Sequence, residues 1–304
     1  MELSVVVVSF NTKKLLKNCL ESVLKETKGL NYEIIILDNA STDDSVEEIK
    51  KLRIKFKNIK LILNKENLGF AKANNLGIKS AKGKFILLLN PDTLIHDNLL
   101  FEMIRWMKRH PKAGIISCSL KNPDNSVQGT GGYFPTLIRV LSWMTIQDLP
   151  FIDKLITPFH PLKALSYHTG EDFYRFEKEL DWVTGAFFLI RKKVIDDIGY
   201  FDEDYFMYTE EVDFCFRAKQ SGWKVYYLPK WFITHIGGAS GKAWSYVIAE
   251  FEGVKLFYKK HYPAWQYPIL RLFLKIGALG RIIVFGVLKG KEAALSYAKA
   301  FMVA

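Results

Sequence analysis

The sequence predicts an α/β protein built on a mostly parallel sheet with helices on both faces. Three observations carry this. Strand-like and helix-like segments alternate β-α-β-α-β-α-β from Ser4 to Leu89, the order that yields parallel strands with crossover helices. The run Phe85–Leu89 is apolar without a break, as a strand buried on both faces is. Three of the strands end in polar residues: Ser9 and Asn11, Asp38 and Asn39, Asn90 and Asp92. Parallel strands bring such ends to one edge, where open α/β sheets bind their ligands.

The elements follow in order. Ser4–Phe10 is β-branched and apolar, the first strand. Asn11 or Thr12 caps a helix from Lys13 to about Lys25, whose apolar face is Leu15, Leu16, Cys19, Leu20, Val23 and Leu24. Tyr32–Leu37 is the second strand, and Ser41-Thr42-Asp43-Asp44 opens a helix with a capping-box pattern. Ile59–Leu63 is a short third strand. Asn67–Ala81 is helical, with Gly83 as its stop, and Phe85–Leu89 is the fourth strand. A helix over Asp97–Lys108 and strand-and-turn structure from Ile115 to about Gln128 come next. Tyr133–Leu165 is aromatic and carries Pro135, Pro150, Pro158 and Pro161, a loop-rich insertion with short helices of the kind that shapes a cleft. Asp181–Ile190 and Lys224–Leu228 are the later strands.

Two stretches carry chemistry. Asn90-Pro91-Asp92-Thr93 leaves the central strand at the ligand edge. A carboxylate there is placed to hold a divalent metal shared with phosphates, because hard cations take oxygen ligands. The alternative is a turn in which Asp92 caps the following helix. In Phe201–Trp223, Thr209 is a candidate N-cap and Glu210-Glu211 fill the first helical turn. Acidic residues there also pair favourably with the helix dipole, which alone would explain them. Helical spacing puts Glu210, Asp213, Arg217 and Gln220 on one polar stripe and leaves Glu211 beside Phe214, Cys215 and Ala218. A carboxylate against apolar groups has its pKa raised, which suits a general base. Further on, His235 precedes Ile236-Gly237-Gly238-Ala239-Ser240. An imidazole on such glycine-rich backbone can approach a ligand or a metal closely.

Composition bounds the rest. The 304 residues suit one large α/β domain with an appendage, and 49% hydrophobic with 25% charged residues is globular. Three scattered cysteines without zinc or redox spacing fit a reduced thiol set, and Met1 runs straight into a strand, which argues against a signal peptide. The net charge of +11 is spread along the chain and accompanies no nucleic-acid-binding motif, so phosphorylated substrates and a membrane surface rank above nucleic acid. No G-x-G-x-x-G or G-x-x-x-x-G-K-[ST] loop occurs, so a bound nucleotide is not held mainly by a glycine-rich phosphate cradle.

The segments Val5–Asn11, Leu37–Ser45, Asn67–Ile78, Leu87–Thr93, Trp182–Lys192 and Phe201–Trp223, with the later His235, resemble in sequence and order the family-two glycosyltransferases of the GT-A fold, especially the rhamnosyltransferase-like branch. The resemblance covers Ser4 to about Ser240. It implies a GT-A-type domain with a nucleotide-sugar-binding half (1–120), an acceptor-binding half (121–260) and a C-terminal helical tail (261–304). It implies that Ser9, Asn11, Asp38, Asn67, Gly69, Asn90 and Asp92 hold the nucleotide sugar. Trp182, Thr184, Gly185 and Glu210 would line the acceptor or sugar pocket. Glu211 would be the catalytic base, standing where the family usually has Asp, and Asp92 with His235 would bind Mg2+ or Mn2+. Asn90 replaces the first acidic residue of the D-x-D pattern many members carry. The Q-x-x-R-W signature of processive synthases is missing, so one sugar per encounter is implied.

In the tail, Ile269–Leu288 is apolar but interrupted by Arg271, Lys275 and Arg281. Central charges disfavour a spanning helix, which leaves an in-plane amphipathic helix or a helix packed on the core. The resemblance favours the membrane. The expectation is an inverting, metal-dependent glycosyltransferase that moves a single sugar, with rhamnose the first to test, from a nucleotide-diphosphate donor to a glycan or lipid-linked acceptor in cell-surface polysaccharide synthesis. The enzyme would be cytoplasmic and peripheral on the membrane. Its rivals are a non-catalytic nucleotide-sugar or glycan-binding module of the same fold, and a basic nucleic-acid-binding protein.

Overall fold

The computed structural model describes residues 1–149, 151–161, 172–237 and 245–304. The first half runs β1 (Leu3–Ser9), α1 (Lys13–Glu26), β2 (Tyr32–Asp38), α2 (Ser45–Lys55), β3 (Ile59–Leu63), α3 (Gly69–Ser80), β4 (Phe85–Leu89), β5 (Thr93–Ile95), α4 (Leu99–Arg109) and β6 (Ala113–Lys121). The second half continues with β7 (Gly131–Gly132), α5 (Leu137–Met144), α6 (Ile152–Leu155), β8 (Lys178–Leu180), β9 (Trp182–Val183), β10 (Phe187–Arg191), α7 (Lys192–Ile198), α8 (Glu210–Gln220) and β11 (Lys224–His235). Three helices close the chain: α9 (Ser245–His261), α10 (Gln266–Lys289) and α11 (Lys291–Val303).

The main sheet has the order β3-β2-β1-β4-β10-β6-β11-β5, with β8 paired to β11. Strands β3, β2, β1 and β4 are mutually parallel. Strand β10 enters from the second half and runs antiparallel between β4 and β6, so both halves share one sheet. Period-2 alternation explains the two layers of core. Phe85, Leu87 and Leu89 face α1 and α4, while Ile86 and Leu88 face the layer that holds α8 and the C-terminal helices. All five are buried, as an unbroken apolar strand requires.

Pairing places Ser9 opposite Asp38, so the polar strand ends do meet at one edge. Local details differ from the sequence reading. No capping box forms at α2: the N-cap position, Asp44, has a φ of 60° and no side-chain cap. The Asp43 carboxylate instead accepts from the Lys13 and Ser45 amides, tying the second loop to the start of α1. Helix α4 is preceded by Asn98 and Thr93–Ile95 is a strand, so Asp92 is not a helix cap. The single strand expected over Asp181–Ile190 is two strands, broken at Thr184-Gly185-Ala186. At the break the backbone passes close to the Phe70 ring, where a Cβ on Gly185 would stand 2.8 Å from it. Strand β11 does not stop at Leu228. It passes a register shift between Leu228 and Phe232 and continues to His235, which pairs with Thr93. His235 is therefore fixed at a strand end and not carried on a loose glycine loop. Gly238, Ala239 and Ser240 lie outside the described residues, as do Pro150 and the end of the expected insertion.

The tail packs on the core and also faces solvent. Leu270, Leu274, Ala278, Phe285 and Tyr297 are buried in the same cluster as the sheet. Leu272, Ile276, Leu279, Ile283 and Val287 are exposed along the other face of α10, at the three- and four-residue spacing of one helical stripe.

Candidate active site

A cavity of ≈ 180 Å³ opens at the carboxyl edge of the sheet. Asn67, Gly69, Asn90, Thr184, Gly185, Glu210 and Glu211 line it, with Asn39 and Tyr208. Ser9, Asn11, Asp38, Asp92, Trp182 and His235 do not line it.

The wall formed by the first two loops is a polar lattice. The Ser9 hydroxyl bonds that of Thr12 at 2.9 Å, and its carbonyl accepts from the Asn39 amide at 2.8 Å. Asn11 donates its amide to Ser41 Oγ and accepts from the Thr42 amide at 2.7 Å, so it ties two loops together. Asp38 is buried; one carboxylate oxygen accepts from the Ser41 amide at 2.9 Å, and the other has no partner. A buried, unpaired acceptor is costly, and a ligand N–H would satisfy it. Asn39 donates to Asn67 Oδ1 at 3.2 Å and accepts from Asn64 at 2.7 Å. Asn67 Oδ1 in turn accepts from the Gly69 amide at 3.0 Å. Gly69 has a φ of +76°, and a Cβ there would meet the Phe206 carbonyl oxygen at 2.5 Å. Only glycine fits both demands.

Asp92 and His235, singled out separately from sequence, come together. Asp92 Oδ1 lies 3.3 Å from His235 Nε2. Gln128 donates its amide N–H groups to Asn122 Oδ1 and the His235 carbonyl, which orients its own oxygen toward His235 Nδ1 at 2.6 Å. Nδ1 must then be the donor, and in the neutral ring Nε2 turns a lone pair toward a carboxylate. Two facing acceptors need a proton or a metal ion between them. The pair thus fits a divalent cation held by one carboxylate and one imidazole. Among the described residues no group of three or more His, Cys, Asp or Glu is placed to hold a metal ion, so the other ligand positions would fall to phosphate and water.

The start of α8 forms the opposite wall. Tyr208 and Thr209 both have left-handed backbone, with φ of 70° and 73°, and Thr209 makes no side-chain cap. For a β-branched residue this is strained, by ~1–3 kcal/mol, and strain of this kind is kept where it sets a functional geometry. It turns both glutamates inward. The polar stripe expected from spacing is buried at its start and solvated at its end: Glu210 is 4% exposed and Asp213 1%, while Arg217 is half-buried and Gln220 exposed. Asp213 is paired with Arg217 at 2.8 Å and with His261 at 2.6 Å. Glu210 has no such partner, and its Oε2 and that of Glu211 are both unbonded. Burial, and then the neighbouring Glu211, push the Glu210 carboxyl well above its ordinary range. Burial raises Glu211 to about 7, with Glu250 adding to the rise.

Sequence reasoning missed Glu250, His160 and Tyr208. His160 Nε2 lies 2.5 Å from Glu250 Oε1, and both join Glu211 in lining an adjoining cavity of ≈ 210 Å³. Neither sits in a motif. Trp182 lines this second cavity and not the first.

Polar strand ends around a cavity, an asparagine-held loop and a carboxylate pair at a helix start define a GT-A-type glycosyltransferase. The likeness to solved structures agrees. A mannosyltransferase from Pyrobaculum calidifontis, in complex with GDP-Man and Mn2+, superposes with a TM-score of 0.60 over 98% of this chain and 73% of its own, at 15% identity. GalNAc-T7 with UDP, GalNAc and Mn2+ gives a TM-score of 0.60 over 85% of this chain and 48% of its own, at 17% identity. The chain belongs to glycosyl transferase family 2, whose model matches residues 4–199. An N-acetylglucosaminyl-diphospho-decaprenol L-rhamnosyltransferase of Mycobacterium tuberculosis is 25% identical over 287 residues, 90% of this chain and 89% of that protein. Rhamnosyltransferase WbbL of Escherichia coli is 26% identical over 239 residues, covering 76% and 82%.

Proposed function

We propose that this glycosyltransferase inverts the donor's anomeric centre and transfers one sugar, rhamnose first among candidates, from a nucleoside-diphosphate donor to a lipid-linked saccharide. The observation that carries the reading is Glu211. Its carboxylate stands on the wall shared by the edge-of-sheet cavity and the adjoining one, unpaired and with a pKa near the pH at which a base works best.

In this reading Asp38 and the Asn39–Asn67 lattice hold the nucleoside, and Asn90 faces the sugar or its phosphates. Trp182, Thr184 and Gly185 bound the acceptor side. Glu211 takes the proton of an acceptor hydroxyl as that oxygen bonds the anomeric carbon. The bond from that carbon to the diphosphate oxygen breaks, and its electron pair leaves with the diphosphate. Burial and the neighbouring Glu211 push the Glu210 carboxyl well above its ordinary range, which disfavours a second negative charge beside the base. Asp92 and His235 would hold Mg2+ or Mn2+, which when bound offsets the charge of the departing diphosphate.

Membrane association belongs to the same proposal. The exposed Leu272–Val287 stripe of α10, with Lys275, Lys289 and Lys291 nearby, fits an in-plane contact with an anionic surface. No helix among the described residues is long and apolar enough to cross a membrane. A peripheral enzyme on the cytoplasmic face follows from this contact and from lipid-linked acceptors, such as the diphospho-decaprenol named for the mycobacterial relative.

The test is a panel of nucleotide sugars with Mg2+ or Mn2+, read by thermal shift and then by NMR of the product. One donor should stabilise the protein in a metal-dependent way, and its product should carry the inverted anomeric configuration. A retained configuration, or binding without transfer to any saccharide, would sink the reading and favour a binding module.

A further inference from the structure

A third cavity, of ≈ 420 Å³, lies between the aromatic insertion and the C-terminal helices. It shares His160, Trp182 and Glu250 with the ≈ 210 Å³ cavity, which in turn shares Thr184, Tyr208 and Glu211 with the edge-of-sheet cavity. The three spaces form one line, with Glu211 between the donor end and the far end. The far end is of a size that holds small ligands, ~300–1,000 Å³.

Its walls select a chemistry. Trp143, Trp182 and Tyr297 supply ring faces. Gln147 is buried, donates to the His160 carbonyl at 2.5 Å, and leaves its Oε1 without a partner. Glu250 and Asp148 supply carboxylates, and Arg281 is the cation opposite them. The Arg281 guanidinium is already engaged: it donates to the Tyr297 hydroxyl at 3.1 Å and to the Trp143 carbonyl. A phosphate would meet two carboxylates beside a guanidinium that is already turned toward Tyr297 and Trp143. An acyl chain would cover the orphaned Gln147 oxygen and the carboxylates with hydrocarbon, which is costly. Aromatic faces beside buried acceptors suit a neutral polyhydroxylated ring, whose C–H face packs on the aromatics and whose hydroxyls donate to Gln147 and Glu250.

We propose that this far cavity is a saccharide subsite for the acceptor. It seats a neutral sugar unit one place removed from the reacting hydroxyl, so that the line through Trp182 delivers that hydroxyl to Glu211. The proposal rests on the transfer reaction above and adds the C-terminal helices to the acceptor site.

The experiment is direct binding, without donor, of a panel of soluble neutral mono- and disaccharides, followed by tryptophan fluorescence and calorimetry. The wild-type protein should bind at least one disaccharide more tightly than its monosaccharides. Gln147→Met and Glu250→Gln should each weaken that binding about tenfold or more, the worth of a buried hydrogen bond to a hydroxyl, and leave nucleoside diphosphate binding unchanged. The second variant is nearly isosteric and guards against misfolding of the first. If no saccharide binds, or both variants bind it as tightly as the parent, the subsite is refuted while the donor reading stands. If inorganic diphosphate binds here and competes with the saccharide, the cavity is an anion site and the proposal is wrong. Loss of nucleoside diphosphate binding by the wild type would instead overturn the transfer reaction itself.

Discussion

Replacing Glu211 by glutamine tests the chemistry at its centre. The amide nearly matches the carboxylate in shape but cannot take a proton. General-base assistance is worth about 10²–10⁴-fold, so kcat should fall by that range while donor affinity holds, since the base meets the acceptor and not the nucleotide. Two further readouts follow from the raised carboxyl. The parent rate should climb with pH and level off above about 7, where Glu211 is ionised; the variant should lose that limb. For stability the sign runs the same way. The folded pKa is above the ordinary 4.5, so between those values the native state binds more protons than the unfolded chain and stability falls as pH rises. A rise from 4.5 to about 7 corresponds to roughly 3 kcal/mol, at ~1.4 kcal/mol per pH unit. Glu211→Gln should therefore be more stable than the parent at pH 8, by up to that amount, and melt at a higher temperature, while being nearly inactive. Glu210→Gln should cost far less in rate, because burial and the neighbouring Glu211 push that carboxyl well above its ordinary range and disfavour the charge the substitution removes. Steady-state kinetics and melting curves at pH 5.5 and pH 8 measure all of this. A larger rate loss at Glu210, or a loss at Glu211 confined to donor affinity, would refute the assignment.

The metal pair and the outer face of α10 give two more tests. Asp92→Asn should weaken metal-dependent binding of nucleoside diphosphate about tenfold or more and leave metal-free binding as it was, measured by calorimetry with and without EDTA; an unchanged metal dependence removes Asp92 from the site. The double variant Ile276→Glu, Ile283→Glu changes two exposed residues and should lower affinity for anionic vesicles at least tenfold, since a buried isoleucine contributes ~1.5–3 kcal/mol, without changing the melting temperature. Removing Ile269–Ala304 should instead unfold the protein, because Leu270, Leu274, Phe285 and Tyr297 are core residues worth together roughly 6–12 kcal/mol, comparable to a domain's whole stability. A stable, soluble truncation would contradict the packing.

What could be read from sequence depended on how local its cause was. The alternation of β1 to β4 and the double burial of Phe85–Leu89 were legible, because period and composition act within one segment. The antiparallel entry of β10 between β4 and β6 was not, since nothing in Phe187–Arg191 records which strands flank it. The close approach that keeps a side chain off Gly185 comes from Phe70, more than a hundred residues away. The capping box failed for the same reason: Asp43 had a better use, holding the Lys13 amide of another loop.

The site shows the same division and sharpens it. Spacing put Asp213 and Arg217 on one stripe, where they do pair, but it could not say that the start of the stripe is buried. Helical periodicity reports which residues share a face, not what covers that face. Here α9 covers it, through His261, and turns a charged stripe into a buried network. The two glutamates differ in what they line. Glu210 lines the edge-of-sheet cavity alone, and burial with the neighbouring Glu211 pushes its carboxyl well above the ordinary range. Glu211 falls on the side open to two cavities and is poised near neutrality. The sequence reading chose Glu211 for its apolar neighbours, yet the group is distinguished by where it opens and by Glu250 across from it. A base must be deprotonable and must reach the acceptor. Glu211, which lines both cavities and whose carboxyl burial raises to about 7, is the residue to test for that role.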